Sequence, residues 1–293
     1  MKLGLGTVQF GMNYGVSNTG GQTSLEEARE ILDLAEESGI SVIDTAAVYG
    51  ESEEVLGKLL RKRHSFRITT KFPALIPQDR CSFESNEVVS LMTESLKRLG
   101  QRNVYGLLLH RADELLSPYG DEIMKGLQKC KRMGLAEKVG VSVYAEDRIN
   151  ELINSYPIDL IQVPVNLFDQ RLVRNGFLNR CQSMGIEVQA RSVFLQGLLC
   201  MEPYNLPAYF RPYVGRLQSF HRYISERGIT PVEAALSFVD GLPEIDAFVC
   251  GVNRCDQLRQ LVASMRNPAK GLDFSKFAST DSSLLNPSLW KTS

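Results

Sequence analysis

The sequence lacks several features that would assign it to whole classes of protein. No apolar run approaches the ~18 residues of a transmembrane helix, so no membrane span is expected. The 33 basic and 34 acidic residues nearly cancel, which argues against a nucleic-acid-binding protein. The N-terminal residues show no apolar stretch with a small-residue cleavage site, as a signal peptide would. We therefore expect a soluble, cytoplasmic protein that acts on a small molecule.

Residues that bind metals or form disulfides are also few. The chain has three histidines and six cysteines, and no Cys-x-x-Cys pair. Zinc sites and disulfide frameworks both need such residues in clusters at characteristic spacings. We therefore expect no metal site, and we expect reduced cysteines that fill space in the core.

Short β-branched and apolar runs alternate with longer amphipathic stretches along nearly the whole chain. The predicted strands are Leu3–Val8, Ser41–Thr45, Arg67–Lys71, Val104–His110, Lys138–Val143, Asp159–Val165, Glu187–Val193 and Asp246–Val252. Between the first two strands, Ser24 and Glu27 have the spacing of a helix capping box. Eight such units favour the α/β class and a (β/α)8 TIM barrel. We predict a single domain over residues 1–293, with an irregular C-terminal tail from about residue 267.

Four polar side chains follow consecutive predicted strands at the same end of the barrel. Asp44 and Tyr49 belong to the second strand end, Lys71 to the third and His110 to the fourth. Taken singly, these residues could be a turn cap, half-buried packing, a solvated charge and a core histidine. Because catalytic residues of such barrels lie where strands end, their convergence favours an active site.

These segments resemble the active-site signature of the aldo-keto reductase family. The residues that carry the resemblance are Asp44-Thr-Ala-Ala-Val-Tyr49-Gly50, Thr70-Lys71, Leu107-Leu-Leu-His110 and, in the first strand, Gly4-Leu5-Gly6-Thr7. The resemblance spans roughly Leu3 to Met265. It implies an NADPH-dependent enzyme, with NADH as the other possible cofactor, that reduces an aldehyde or ketone without a metal. The oligomeric state stays open.

The resemblance implies a role for each of the four side chains. Tyr49 would protonate the developing alkoxide, although a free phenol has a pKa near ~10. Lys71 would lower that pKa through its ammonium, and Asp44 would hold Lys71 in position. His110 would donate a hydrogen bond to the carbonyl oxygen.

The resemblance also implies cofactor contacts along the strand ends. The expected cofactor-binding residues are Gly6, Thr7, Asp44, Ser142, Gln162, Arg191, Ser192, Gln196, Gly251, Asn253, Arg254 and Gln257. Val143 follows Ser142 where the family commonly has asparagine. Arg191 replaces an aromatic residue that stacks on the nicotinamide in many members, and a guanidinium plane can also stack. Arg254 could reach a 2′-phosphate, which would favour NADPH, or it could equally be a solvated surface residue, since arginine is mostly exposed.

The substrate pocket is expected to be lined by loop residues near Tyr49. The main candidates are Phe10, Tyr14, Tyr144 and Asn166, and Met12 and Phe168 are further ones. Phe10 and Tyr14 could equally pack the barrel rim. The polar side chains of Asn166 and Gln9 favour a polyol or sugar-derived carbonyl.

Two other functions are compatible with some features of the sequence. Lys71 could form a Schiff base in a lyase, with Tyr49 or His110 carrying protons. Alternatively, the chain could be a cofactor-binding regulatory subunit with slow turnover. The second alternative would suit the adenine end of the cofactor site, where Gln257, Gln260 and Leu261 depart from the family pattern.

Overall fold

The computed structural model describes residues 1–60, 64–75, 82–145 and 148–290. Within them, eight parallel strands close into a barrel in chain order. The strands are β1 (Leu3–Gly6), β2 (Val42–Asp44), β3 (Arg67–Phe72), β4 (Val104–Leu109), β5 (Ala136–Ser142), β6 (Leu160–Pro164), β7 (Glu187–Arg191) and β8 (Ala247–Gly251). The predicted (β/α)8 barrel is confirmed. The first strand ends earlier than predicted because the chain turns into a short helix at Val8.

Helices and helical turns connect the strands and surround the barrel. The α-helices are α1 (Val8–Gly11), α2 (Leu25–Glu37), α3 (Ser52–Leu59), α4 (Ser85–Leu99), α5 (Gly120–Arg132), α6 (Ile149–Ser155), α7 (Arg171–Arg174), α8 (Phe177–Ser183), α9 (Val214–Ser225), α10 (Pro231–Asp240), α11 (Cys255–Arg266) and α12 (Ser282–Leu285). At the start of α2, the hydroxyl of Ser24 accepts a hydrogen bond from the Glu27 amide at 3.2 Å. This contact is one half of the expected capping box, because the carboxylate of Glu27 accepts from the Cys255 amide of α11.

Strands of the barrel are covered on both faces, by the barrel interior on one side and by helices on the other. Leu107, Leu108 and Leu109 of β4 are all fully buried, although successive side chains point to opposite faces. Strands β5 and β6 approach closely at Gly140, where a Cβ atom would lie 1.7 Å from the carbonyl oxygen of Leu160. A continuous apolar run is therefore the correct signature of these strands.

The C-terminal tail packs against the barrel instead of lying loosely over it. Residues Ser275–Phe277 and Pro287–Leu289 form 3-10 turns on either side of α12. Phe277 and Leu284 are buried, and the ring of Trp290 meets that of Phe210 edge to face at 4.8 Å. These apolar side chains fix the tail to the barrel. They could not be identified from the sequence because the tail has no hydrophobic periodicity.

Within the described ranges, no helix is both long and apolar enough to cross a membrane. The same residues contain no cluster of three or more histidine, cysteine or acidic side chains that could hold a metal. The described cysteines are free thiols; they are Cys130, Cys181, Cys200, Cys250 and Cys255. Cys81 lies outside the described residues.

Candidate active site

The four side chains predicted to converge lie together at the carboxyl end of the barrel. The ammonium of Lys71 donates to both carboxylate oxygens of Asp44, at 2.7 and 2.8 Å, and to the Thr45 carbonyl at 2.9 Å. Its nitrogen lies 3.4 Å from the hydroxyl of Tyr49. The rings of Tyr49 and His110 meet edge to face, with centroids 5.9 Å apart. Lysine, carboxylate, phenol and imidazole therefore form one contiguous group.

Backbone contacts hold the turn that carries Tyr49. This turn follows β2 and leads into α3, and it packs so closely on α1 that a Cβ on Gly11 would lie 1.7 Å from the Tyr49 carbonyl oxygen. Below it, the hydroxyl of Ser52 donates to the Thr7 carbonyl at 2.8 Å and lies 3.0 Å from the Thr45 hydroxyl. The phenol is thus fixed by the same loops that surround the buried ion pair.

Burial controls the protonation of the lysine and the phenol. Burial lowers the pKa of Lys71, and the neighbouring Asp44 carboxylate opposes that effect. Burial also raises the pKa of Tyr49 above its ordinary value, and the Asp44 charge raises it further. The expected lowering of the Tyr49 pKa by Lys71 is wrong for the free protein, because burial, which is the largest effect, and the Asp44 charge both raise that pKa. Tyr49 therefore remains a protonated hydrogen-bond donor.

The imidazole of His110 is neutral at physiological pH. Burial lowers its pKa to about 4, and the positive charges of Lys71 and Arg191 act in the same direction. A neutral imidazole carries one N–H, which can donate to a carbonyl oxygen without adding charge to the cleft. Its chemistry therefore fits an orienting role beside Tyr49.

A cleft of about 540 Å³ opens directly beside this group. Most of the residues predicted for catalysis, cofactor binding and substrate binding line it; these are Gly6, Thr7, Tyr14, Asp44, Tyr49, His110, Tyr144, Gln162, Arg191, Ser192, Gln196, Gly251, Asn253 and Gln257. Lys71 is fully buried behind Tyr49 and does not line the cleft.

Gln162 fits the carboxamide of a nicotinamide. Its amide nitrogen donates to Asp44 at 2.7 Å, whereas its oxygen is buried and has no hydrogen-bond partner. A carboxamide N–H₂ group would satisfy this acceptor, and an unsatisfied buried acceptor is costly. A second unpartnered amide oxygen belongs to Gln9, which packs on Gly251 so closely that a Cβ there would lie 2.4 Å away. The floor of the cleft is thus ready to accept hydrogen bonds.

The loop after β7 crosses the cleft in a strained conformation. Ser192, Leu195 and Gln196 have φ of 60°, 49° and 53°, a region that non-glycine residues rarely adopt. The loop is bound to the β1 loop, because the Gln196 carbonyl accepts from the Val16 amide at 3.1 Å and its side chain donates to the Tyr14 hydroxyl at 2.9 Å. These contacts place the β7 loop across one side of the opening.

Four residues predicted for the substrate pocket do not line the cleft; they are Phe10, Met12, Asn166 and Phe168. Met12 is exposed, and Phe10 is fully buried in the hydrophobic core. Asn166 is buried as well; it donates to the Ser192 carbonyl at 3.1 Å and accepts from the Phe168 amide at 2.9 Å. Asn166 therefore braces the β7 loop, and Phe168 is likewise a core residue.

Two predicted cofactor residues also lie off the cleft lining. Ser142 is buried at the end of β5. The guanidinium of Arg254 is exposed and bound to the carboxylate of Asp256 at 2.9 Å. At the N-terminus of α11, the amides of Asn253 and Arg254 both donate to the side chain of Gln257. A phosphate at this position would therefore have to displace that side chain.

Several lining residues were not predicted from the sequence. They are Ser17, Asn18, Cys200, Val232, Pro287 and Ser288, which come from the β1 loop, the β7 loop, α10 and the tail. Gly20 and Gly21 indicate that the segment after β1 is a loop. No pattern in the sequence of the C-terminal tail indicates that the tail returns to the mouth of the barrel.

Comparison with known proteins agrees with this geometry. Residues 2–281 match the sequence model described as the Aldo/keto reductase family. An aldo-keto reductase of Bombyx mori is 29% identical over 254 residues, covering 77% of this chain and 78% of the relative. The L-glyceraldehyde 3-phosphate reductase of Escherichia coli K12 is 27% identical over 285 residues, covering 85% and 82%.

The fold recurs in solved structures. The holo form of an aldo-keto reductase of Bacillus halodurans superposes with a TM-score of 0.75 at 22% identity, covering 96% of this chain and 93% of the other. Since the family model spans nearly the entire chain, the protein belongs to the aldo/keto reductase family of oxidoreductases.

Proposed function

We propose that this protein reduces an aldehyde or ketone to an alcohol with a nicotinamide cofactor, with Tyr49 as the proton donor. One observation carries the proposal: the Tyr49 hydroxyl lies 3.4 Å from the Lys71 ammonium and beside His110, at the edge of an open cleft. The expected partner is a small carbonyl compound, and sugar-derived aldehydes suit the polar lining.

A reduced nicotinamide held by the cleft residues would supply the hydride that the carbonyl carbon receives. The chain's own residues act on the oxygen, which accepts hydrogen bonds from the Tyr49 hydroxyl and the neutral His110 imidazole. A raised pKa keeps Tyr49 protonated in the resting site. Because an alkoxide is more basic than a phenolate, the proton moves from Tyr49 to the new alcohol. The nearby Lys71 ammonium then stabilises the phenolate that remains.

The cofactor is proposed to be NADPH, with NADH as the alternative. Gln162 would hold the carboxamide through its unpartnered oxygen, while Gly251, Asn253 and the β7 loop would surround the rest of the molecule. Arg254 favours a 2′-phosphate by its charge, but it must first leave Asp256. Competition between NADPH and NADH in an equilibrium binding assay distinguishes the two.

The proposal is tested by measuring cofactor binding and turnover on the same preparation. Quenching of protein fluorescence reports binding, and loss of absorbance at 340 nm reports oxidation of the reduced cofactor. The carbonyl panel includes sugar-derived aldehydes and L-glyceraldehyde 3-phosphate, which a relative's name specifies. We expect tight binding together with turnover on at least one carbonyl. Tight binding without turnover on any would favour the regulatory alternative.

A Schiff-base lyase is disfavoured by the position of Lys71. Its nitrogen is fully buried, bound to Asp44 and screened from the cleft by Tyr49. A substrate carbonyl would have to displace both to reach it. Trapping with borohydride in the presence of the carbonyl panel is therefore expected to give no adduct at Lys71, and a covalent adduct would support the lyase.

A further inference from the structure

Arg191 is a cation in the cleft that has no counter-ion within residues 1–60, 64–75, 82–145 and 148–290. Its guanidinium donates to the Val143 carbonyl at 3.0 Å and to the Ser192 hydroxyl at 3.2 Å. It lies over the ring of Tyr144, 4.5 Å from the centroid. Its Nε atom is buried and has no hydrogen-bond partner, and no carboxylate in the described part of the chain pairs with it. Two hydrogen bonds and an aromatic ring hold the guanidinium in place, but none of the described carboxylates neutralises its charge.

Among the described residues of the site, no other charged group compensates Arg191. The carboxylate of Asp44 is bound by Lys71 and Gln162, so the lysine and the aspartate together are neutral. The imidazole of His110 is neutral above its pKa of about 4. The net charge that the described residues give the inner end of the cleft is therefore that of the Arg191 guanidinium.

The strand register places Arg191 close to the proposed carboxamide site. Gln162 on β6 pairs with Gln189 on β7, and Arg191 follows two residues later on the same face. Given strand spacings of ~4.8 Å and ~3.3 Å per residue, the Cα atoms of Gln162 and Arg191 are about 8 Å apart. A planar ring whose carboxamide binds Gln162 therefore lies against the guanidinium. This step rests on the proposed function.

We propose that Arg191 makes the site selective for the redox state of its cofactor. The oxidised nicotinamide ring carries a positive charge, whereas the reduced ring is neutral. An uncompensated cation in contact with the ring repels the oxidised form, while the neutral reduced form stacks on it without penalty. The protein thus takes up the reduced cofactor preferentially, releases the oxidised cofactor readily and is biased toward carbonyl reduction.

The test compares equilibrium dissociation constants of the reduced and oxidised cofactors, without any carbonyl present. We expect the wild-type protein to bind the reduced form at least tenfold more tightly, which corresponds to about 1.4 kcal/mol. Arg191→Met, which removes the charge and keeps an unbranched side chain, is expected to reduce that ratio at least tenfold. Arg191→Lys is expected to retain most of it. Arg227→Met is the matched control, because Arg227 also lies over a tyrosine ring but far from the cleft.

A measurement on the wild-type protein alone keeps the proposal testable if the variants fold poorly. The probe is adenosine 2′,5′-bisphosphate, which shares the adenine end of NADPH and lacks the nicotinamide. We expect NADP⁺ to bind no more tightly than this probe, and NADPH to bind more tightly.

Two results would overturn the proposal. One is an unchanged ratio in Arg191→Met, including an equal loss of affinity for both redox forms, and the other is NADP⁺ binding far more tightly than the bisphosphate. Each of these leaves the proposed function intact, because the cofactor still binds. Failure of the wild-type protein to bind any nicotinamide dinucleotide would instead overturn the proposed function, and the inference with it.

Discussion

Replacing Lys71 with methionine is expected to destabilise the protein strongly. The lysine side chain is fully buried and makes three short hydrogen bonds, two to Asp44 and one to the Thr45 carbonyl. In Lys71→Met, the Asp44 carboxylate keeps only the amide of Gln162 as a side-chain partner. Removing one partner of a buried ion pair costs about 3–5 kcal/mol. Urea unfolding followed by far-UV circular dichroism measures this cost.

The double variant Asp44→Leu/Lys71→Met separates the pair from its surroundings. Removing both charges leaves no buried ion uncompensated. The loss of unfolding free energy in the double variant should therefore be smaller than the sum of the losses in the two single variants, by about 2 kcal/mol or more. Lys131→Met is the control, since Lys131 makes an equally short pair with Asp159 that is partly exposed, and its loss should cost at most about 1 kcal/mol. Additive effects of the two core substitutions would refute the buried-pair reasoning.

Three further predictions concern protonation, strand packing and loop support. Because the pKa of His110 is lowered to about 4, kcat/KM should be level between pH 6 and 8 and change only at more acidic pH; an inflection near pH 6.5 in the profile would contradict this. Gly140→Ala should prevent folding, judged by circular dichroism, since its Cβ would overlap the Leu160 carbonyl; a cooperative thermal transition like that of the wild type would refute it. Asn166→Ala should cost about 1–3 kcal/mol and weaken cofactor binding without changing KM for the carbonyl, because Asn166 braces Ser192. If only the KM for the carbonyl changed, Asn166 would instead be a residue that lines the substrate pocket.

The barrel could be predicted because strand burial leaves a direct signature. Runs such as Leu107–Leu109 have to be apolar on both faces, and glycines such as Gly140 mark close strand contacts. The convergence of Asp44, Lys71 and His110 also follows from sequence, since parallel strands of a barrel end at one rim. The positions of these residues at the ends of predicted strands, together with the barrel topology, were sufficient to predict that their side chains converge.

Residues placed by long-range packing could not be predicted in the same way. The inward turn of Phe10 depends on how α1 packs on the Tyr49 turn, and Asn166 is engaged by a loop that follows the next strand. Likewise, the raised pKa of Tyr49 depends mainly on the burial of the phenol and then on the Asp44 carboxylate, so the nearby cations alone predict the wrong direction. Packing and charge balance depend on the folded structure, and the spacing of residues along the sequence does not predict them.

The role of Tyr49 is tested most directly by a single-turnover measurement at 340 nm. Protein saturated with reduced cofactor is mixed with a carbonyl that the wild-type protein reduces, and Tyr49→Phe is compared with Tyr209→Phe, which loses one peripheral hydrogen bond to the Ser283 carbonyl. We predict that Tyr49→Phe slows the reaction by about 10²–10⁴-fold while the cofactor dissociation constant stays within about twofold, and that Tyr209→Phe reacts at the wild-type rate. A Tyr49→Phe protein that reduced the carbonyl at the wild-type rate would contradict the assignment of this phenol as the proton donor.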